Sequence, residues 1–286
     1  EMSASLVGSE MCIRDSYKPE YVNENFDCFV IPLADAFREN FVNELNELTS
    51  FVKKLKIPCY VIGVGLKESY EPDFSQPKPQ DEAVKKFVTA VLEKSNCIGV
   101  RGELTGKYLE TLGFAEGRDF MVIGCPSMYM KGKRLHIQNP KLDVNSKVCF
   151  NSNVAASVPT RKFIKLKMKE FENHYFIGQV VNELRSIYLG APYEYKIEYN
   201  FRNVTDKIYQ DGRLRFFCNV PKWMEFLNDS DLTFGSRLHG NIAAVLAGTP
   251  ALLVTKDSRT RELAEYHHLN AVSYTHLRAH ETSAHL

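Results

Sequence analysis

The sequence lacks three things that would narrow its class at once. It has no uninterrupted apolar run approaching the ~20 residues of a membrane-spanning helix. It has no surplus of one charge: 36 Lys+Arg stand against 35 Asp+Glu, a net charge of +1, which argues against a general nucleic-acid binder. Its seven Cys are scattered with no C-x-x-C pair, which reads as buried or free thiols in a reducing cytosol, not a disulfide frame. Gly63 and Gly65 form only a G-x-G, short of the dinucleotide fingerprint, so no NAD site is inferred. No internal repeat or low-complexity tract is present. What remains is ordinary: 286 residues, 44% hydrophobic and 25% charged, enough for one large or two small globular domains.

The two ends stand apart. Residues 1–16 (EMSASLVGSEMCIRDS) and 272–286 (VSYTHLRAHETSAHL) show neither helix nor strand periodicity. Both resemble translated sequencing-adapter sequence, and the first lacks the basic and apolar regions of a signal peptide. Set aside as an artefactual leader and tail, they leave 17–271, which is mildly basic. On this reading the chain is truncated at both ends, and as written it is expected to be inactive or poorly soluble.

Within 17–271 apolar runs alternate with helical stripes. Strands are expected at Asp27–Leu33, Pro58–Val64, Cys97–Val100 and Phe120–Ile123. Helices are expected at Phe37–Lys56, Asp81–Lys94 and Glu103–Leu112. Residues 124–146 are rich in Gly, Pro, Lys and Asn and read as a linker. The alternation restarts with strands at Lys147–Phe150, His174–Gly178, Leu214–Cys218, Asp231–Phe234 and Ala251–Thr255. The helices of this half are Pro159–Phe171, Val180–Leu189, Lys222–Asn228, Leu238–Ala247 and Arg259–His267; residues 190–212 give no clear reading. Repeated strand–helix units imply an α/β fold of parallel sheets. The expectation is two Rossmann-like domains facing a cleft, an acceptor-side domain over 17–140 and a donor-binding domain over 141–271.

Two stretches carry chemistry. In DLTFGSRLHGNIAAVLAGTPALLVT (231–255) a strand, a turn, a helix and a strand form one βαβ unit. The turn places Arg237 and His239 at a helix N-terminus, where exposed N–H groups and the helix dipole favour an anion. Arg237 can grip a phosphate or carboxylate through two hydrogen bonds, and His239 can exchange a proton near neutral pH. The alternative is that Arg237 pairs with a carboxylate and His239 merely caps the helix. In CIGVRGELTGKYLETLG (97–113), Arg101 ends a strand; its alternative is a surface pair with Glu103.

These stretches, with VIGCPSMY (122–129), resemble the polysaccharide pyruvyl transferase family over about 26–268. The resemblance implies a glycosyltransferase-B-like fold with an incomplete N-terminal domain. It implies transfer of the pyruvyl group of phosphoenolpyruvate to a sugar of a surface glycan, giving a pyruvate ketal and phosphate. Arg237, Leu238 and His239 match the donor-site turn, His239 as general acid, and Arg101 matches the other cleft arginine. Phosphoenolpyruvate is a co-substrate, so no cofactor and no metal are expected. Asp35, after the first strand, is the candidate base; its alternative is a helix cap.

Asn151 and Ser152, after the first strand of the second half, are further donor-site candidates, as are Asp257 and Arg259; Asp257 is equally a cap. Cys125 reads as a buried thiol. The run RKFIKLKMK (161–169) is a solvated helix face or a peripheral contact with acidic lipid. The expected partners are phosphoenolpyruvate and a glycan or lipid-linked saccharide acceptor, with no nucleic acid, in the cytoplasm or at the inner face of the membrane. The competing readings are a nucleotide-sugar-dependent glycosyltransferase of the same fold and a non-catalytic glycan-assembly protein.

Overall fold

The computed structural model describes residues 18–152, 156–191 and 203–273. They form two compact units. One holds the described residues up to Met130 together with Asp257–His268; the other holds those of Lys131–Lys256 and from Leu269 onward. No helix among the described residues is long and apolar enough to cross a membrane.

The first unit runs α1 (Pro19–Asn25), β1 (Phe29–Pro32), α2 (Val42–Lys54), β2 (Cys59–Ile62), α3 (Asp81–Leu92), β3 (Ile98–Val100), α4 (Glu103–Thr111) and β4 (Phe120–Val122). β1 pairs with β2 and β3 with β4, both parallel. A bridge between Val64 and Val100 joins the two pairs, so the strands follow chain order. Leu45, Leu48 and Val52 of α2, and Val84, Phe87, Val88 and Val91 of α3, recur at helical spacing and are all buried. They pack with Ile31, Val61, Ile98, Val100 and Phe120 in one core.

The second unit runs β5 (Val148–Asn151), α5 (Val158–Met168), β6 (His174–Gly178), α6 (Val181–Leu189), α7 (Lys207–Gln210), β7 (Leu214–Phe216), α8 (Val220–Asn228), β8 (Leu232–Gly235), α9 (Leu238–Ala247) and β9 (Ala251–Thr255). α10 (Ser258–Tyr266) then leaves for the first unit, and β10 (Ala271–Ser273) returns. The sheet order is β10-β9-β8-β5-β6-β7, every pair parallel. The chain starts in the middle, winds outward through β6 and β7, then crosses back to lay β8 beside β5. This is the doubly wound Rossmann order, and its switch point lies between β5 and β8, at whose carboxyl ends ligands bind. Every residue of β5 is buried, as a central parallel strand requires.

The alternating α/β reading is present in both units, with local departures. The helix expected from Phe37 begins at Val42, after a 3-10 turn at Glu39–Phe41. Phe37 is instead extended and fully buried: its N–H donates to the Gly65 carbonyl at 3.2 Å and its carbonyl accepts from Lys67 N–H at 3.2 Å. α1 has a single buried residue, Val22, so it shows no apolar stripe. The linear division at 140/141 puts α10 with the second half; its buried Glu262 and Leu263 belong to the first unit. Val272 and Ser273, set aside with the tail, pair in register with Val254 and Thr255.

Candidate functional site

The switch point of the second unit is built from three strand ends. Asn151, the last residue of β5, and Ser152, which follows it, are 1% and 0% exposed. The Asn151 Oδ1 accepts the Arg237 N–H at 2.8 Å, and the Ser152 carbonyl accepts the Arg237 Nε–H at 2.6 Å. The Arg237 Nη2 meets the Glu183 Oε1 at 2.7 Å, and Glu183 has no exposed side-chain surface. Glu183 also accepts the N–H groups of Gln179 and Val180 through Oε2. Arg237 is thus fixed from both sides, through its backbone and its guanidinium. Of the two sequence alternatives for Arg237, pairing with a carboxylate is the one present, and the pair orders the turn that opens α9.

That turn is tightly made. A Cβ on Gly235 would land on the Asn151 carbonyl, and one on Gly240 would stand 2.6 Å from Gln179 Nε2 and 3.2 Å from Asn151 Nδ2. Glycine alone permits this approach of β8 and α9 to β5. Arg237 is the N-cap of α9 and offers no side-chain cap. The α9 dipole therefore has its positive end at these strand ends. Leu238 is buried in the core, while His239 is partly exposed. Beside them the Gln179 Nε2 is buried with no hydrogen-bond partner among the described residues.

The first unit holds a second charged group. Arg101, 5% exposed, follows β3, and its Nε donates to the Gly63 carbonyl at 2.5 Å. Its Nη1 is buried with no hydrogen-bond partner among the described residues. Burial pulls its pKa down, opposed by the nearby Cys125, Asp35 and Glu262. Asp35 does not cap a helix. It pairs with Arg38 at 2.8 Å, Arg259 at 3.4 Å and Lys67 at 3.7 Å. Burial pushes its carboxyl up, but Arg259, Arg38 and Lys67 together hold it below the usual carboxylate range. A carboxylate so stabilised is a weak base.

Asp257 caps α10: its Oδ1 accepts from Thr260 N–H at 2.9 Å and from the Thr260 hydroxyl at 2.8 Å. Asp257 and Arg259 lie with Asp35 and Arg101 in the first unit, and Asn151, Ser152, Leu238 and His239 lie with Arg237 in the second. Cys125 is 4% exposed, and its thiol lies 3.0 Å from the Ser127 hydroxyl. Its backbone N–H, not its thiol, faces a histidine: it donates to His267 Nε2 at 2.7 Å. Burial and His268 lower the His267 pKa, consistent with a neutral acceptor ring.

Two carboxylates central to these groups escaped the sequence reading. Glu183, early in α6, looks like ordinary helix-dipole decoration; its place three residues after the N-cap was the available signal for its bond to Val180 N–H. Glu262 sits on a helix with almost no apolar stripe, so nothing in the pattern marks its face as buried. It is 1% exposed, and burial raises its pKa from 4.5 to about 7 against the hydrogen bonds of Thr105 and the charge of Arg101.

A twofold construction is now defined: a doubly wound parallel sheet with an Arg-Leu-His turn at its switch point, and a parallel α/β unit with a buried arginine at a strand end. The sequence profile of the polysaccharide pyruvyl transferases matches residues 10–258, and the chain belongs to that family of transferases. No protein of curated function matches the sequence. Among solved structures it is similar to S. aureus MnaA in complex with UDP, at 12% identity and a TM-score of 0.44, over 96% of this chain and 66% of that one. It is similar also to UGT73P12 of Glycyrrhiza uralensis complexed with glycyrrhetinic acid 3-O-monoglucuronide, at 12% identity and 0.44, over 95% and 62%. The chain thus spans just under two thirds of the length of these two proteins.

Proposed function

We propose that this protein transfers the pyruvyl group of phosphoenolpyruvate to a sugar of a surface polysaccharide, or of its lipid-linked precursor. Two sugar hydroxyls add to the central carbon, giving a cyclic ketal, and inorganic phosphate leaves. The observation that carries the reading is the N-terminus of α9 at the β5/β8 switch point, where the N-cap Arg237 makes no side-chain cap bond and His239 lies in the first turn. Arg237, held by Asn151, Ser152 and Glu183, sets that turn.

The chemistry assigns roles in order. The donor carries a phosphate and a carboxylate, which the α9 N-terminus and the Gln179 amide suit. In the first unit Arg101, whose Nη1 has no hydrogen-bond partner among the described residues, is an anion-binding group in its own right. His239 delivers the proton to the methylene carbon, and a bound anion beside it favours its protonated form. The central carbon then becomes electrophilic and the first hydroxyl adds, its proton returning to His239; the C–O bond to phosphate breaks, and the second hydroxyl closes the ketal, its proton leaving with the phosphate. Arg259, Arg38 and Lys67 lower the proton affinity of Asp35, which leaves it too weak a base for this scheme.

Calorimetric titration tests the donor. Phosphoenolpyruvate is expected to bind and UDP-sugars not to bind. Binding of a UDP-sugar in place of phosphoenolpyruvate would favour a glycosyltransferase. Glycan pyruvylation undiminished in cells carrying only His239→Ala would favour a non-catalytic assembly role.

A further inference from the structure

The helix behind Arg101 is not capped by its own residues. Gly102 is the N-cap of α4 and has no side chain to offer. The cap comes from α10: the Glu262 carboxylate accepts the Thr105 N–H at 2.9 Å and the Thr105 hydroxyl at 2.9 Å. Thr105 is the third residue of α4, one of the positions an N-cap oxygen serves. The Glu262 stem fills the space a capping side chain would take, since a Cβ on Gly102 would stand 2.5 Å from Glu262 Cβ and 2.8 Å from its Cγ.

The same carboxylate lies beside the arginine. A Cβ on Gly65 would meet Arg101 Cδ at 3.0 Å and Glu262 Oε1 at 3.1 Å, so the two side chains flank one glycine. Arg101 and Glu262 have no hydrogen bond to each other among the described residues. Arg101 is fixed through its Nε on the Gly63 carbonyl, and its Nη1 is left over.

We propose that Glu262 is the positioning residue of Arg101: by capping α4 from α10 it fixes the end of β3, so that the leftover Nη1 is held ready for an anion. The consequence for anion binding rests on the reading of Arg101 as an anion-binding group; the consequence for geometry does not.

The experiment has two arms on the full chain. Hydrogen exchange of the Thr105 N–H and the Arg101 Nε–H, followed by nitrogen-15 NMR, reads the geometry. In Glu262→Ala both are expected to exchange about fivefold faster or more, the worth of a lost cap. In Glu262→Gln, whose carbonyl still accepts from Thr105 N–H, both stay near the wild-type rate. Faster exchange at Thr105 with an unchanged Arg101 Nε–H overturns the proposal, and so does unchanged exchange at both. Should Glu262→Ala not fold, Glu262→Leu, which keeps the bulk of the stem and removes the acceptor, decides in the same way, by whether the Arg101 Nε–H is released. In the binding arm, titration with inorganic phosphate read at the Arg101 Nε–H signal gives a Kd about fivefold higher in Glu262→Ala than in the wild type, and near the wild-type value in Glu262→Gln. Absence of phosphate binding at Arg101 in the wild type defeats the anion-binding reading, while the exchange arm still judges Glu262.

Discussion

Arg237 and Glu183 form an ion pair at 2.7 Å in which the carboxylate has no exposed surface. Arg237 has two tasks that cannot be separated by deleting it. It is a cation at the helix N-terminus proposed to bind the donor, and it neutralises a buried charge.

Arg237→Ala should therefore unfold the second unit more readily, because it strands Glu183. The expected loss is about 3–5 kcal/mol. Glu183→Gln in the same chain should return part of it. A urea double-mutant cycle measures the coupling, and additive effects would show that the pair is not a unit. Arg237→Ala is for this reason a poor test of donor binding.

Glu262 should make stability depend on pH in the alkaline direction. Its folded pKa, about 7, lies above the ordinary 4.5, so the folded state binds the proton more tightly. The stabilisation is complete below about pH 4.5 and is lost as pH rises through 7, roughly 3 kcal/mol in all. Glu262→Gln removes this dependence. Denaturant midpoints should show the variant gaining on the wild type between pH 4.5 and 7; a constant difference would contradict this.

Asp35 should behave in the opposite sense. Arg259, Arg38 and Lys67 outweigh burial and lower its pKa, so its contribution is present above the ordinary 3.8 and lost as pH falls through the lowered value. Asp35→Asn is expected to cost about 2 kcal/mol at neutral pH, with the difference from wild type shrinking on acidification. The acid limb of the pH–rate profile, where a base is lost by protonation, should survive in this variant; its disappearance would make Asp35 the base after all.

Gly235→Ala should disrupt the switch point more than any exposed glycine change. The added carbon would fall on the Asn151 carbonyl, which is backbone at the end of a buried strand. A loss of at least about 2 kcal/mol is expected. Thermal denaturation checks it, and a near-neutral change would mean that β8 moves freely against β5.

The fold was largely legible because apolar periodicity registers burial directly. β5, β6 and β9 stand out as short apolar runs, and α3 shows its stripe. Phe37 reads as helical because its spacing to Phe41 fits a helix, yet the pattern is blind to its backbone bonds to Gly65 and Lys67. In the site, the Arg-Leu-His turn and Asn151–Ser152 are brought together as one arrangement. Glu262 was illegible because its burial comes from α10 joining the first unit, a contact 157 residues apart in sequence. Asp35 and Arg259 were each singled out for other reasons, and only the fold makes them partners.

The central claim is that His239 protonates phosphoenolpyruvate at the switch point of the second unit. Phosphorus NMR of the protein with phosphoenolpyruvate and a chemically depyruvylated surface polysaccharide tests it most directly. The account predicts phosphate release matched by ketal formation in the wild type. It predicts a rate at least ~100-fold lower in His239→Ala, with the affinity for phosphoenolpyruvate retained. Phosphate release by His239→Ala at the wild-type rate would contradict it.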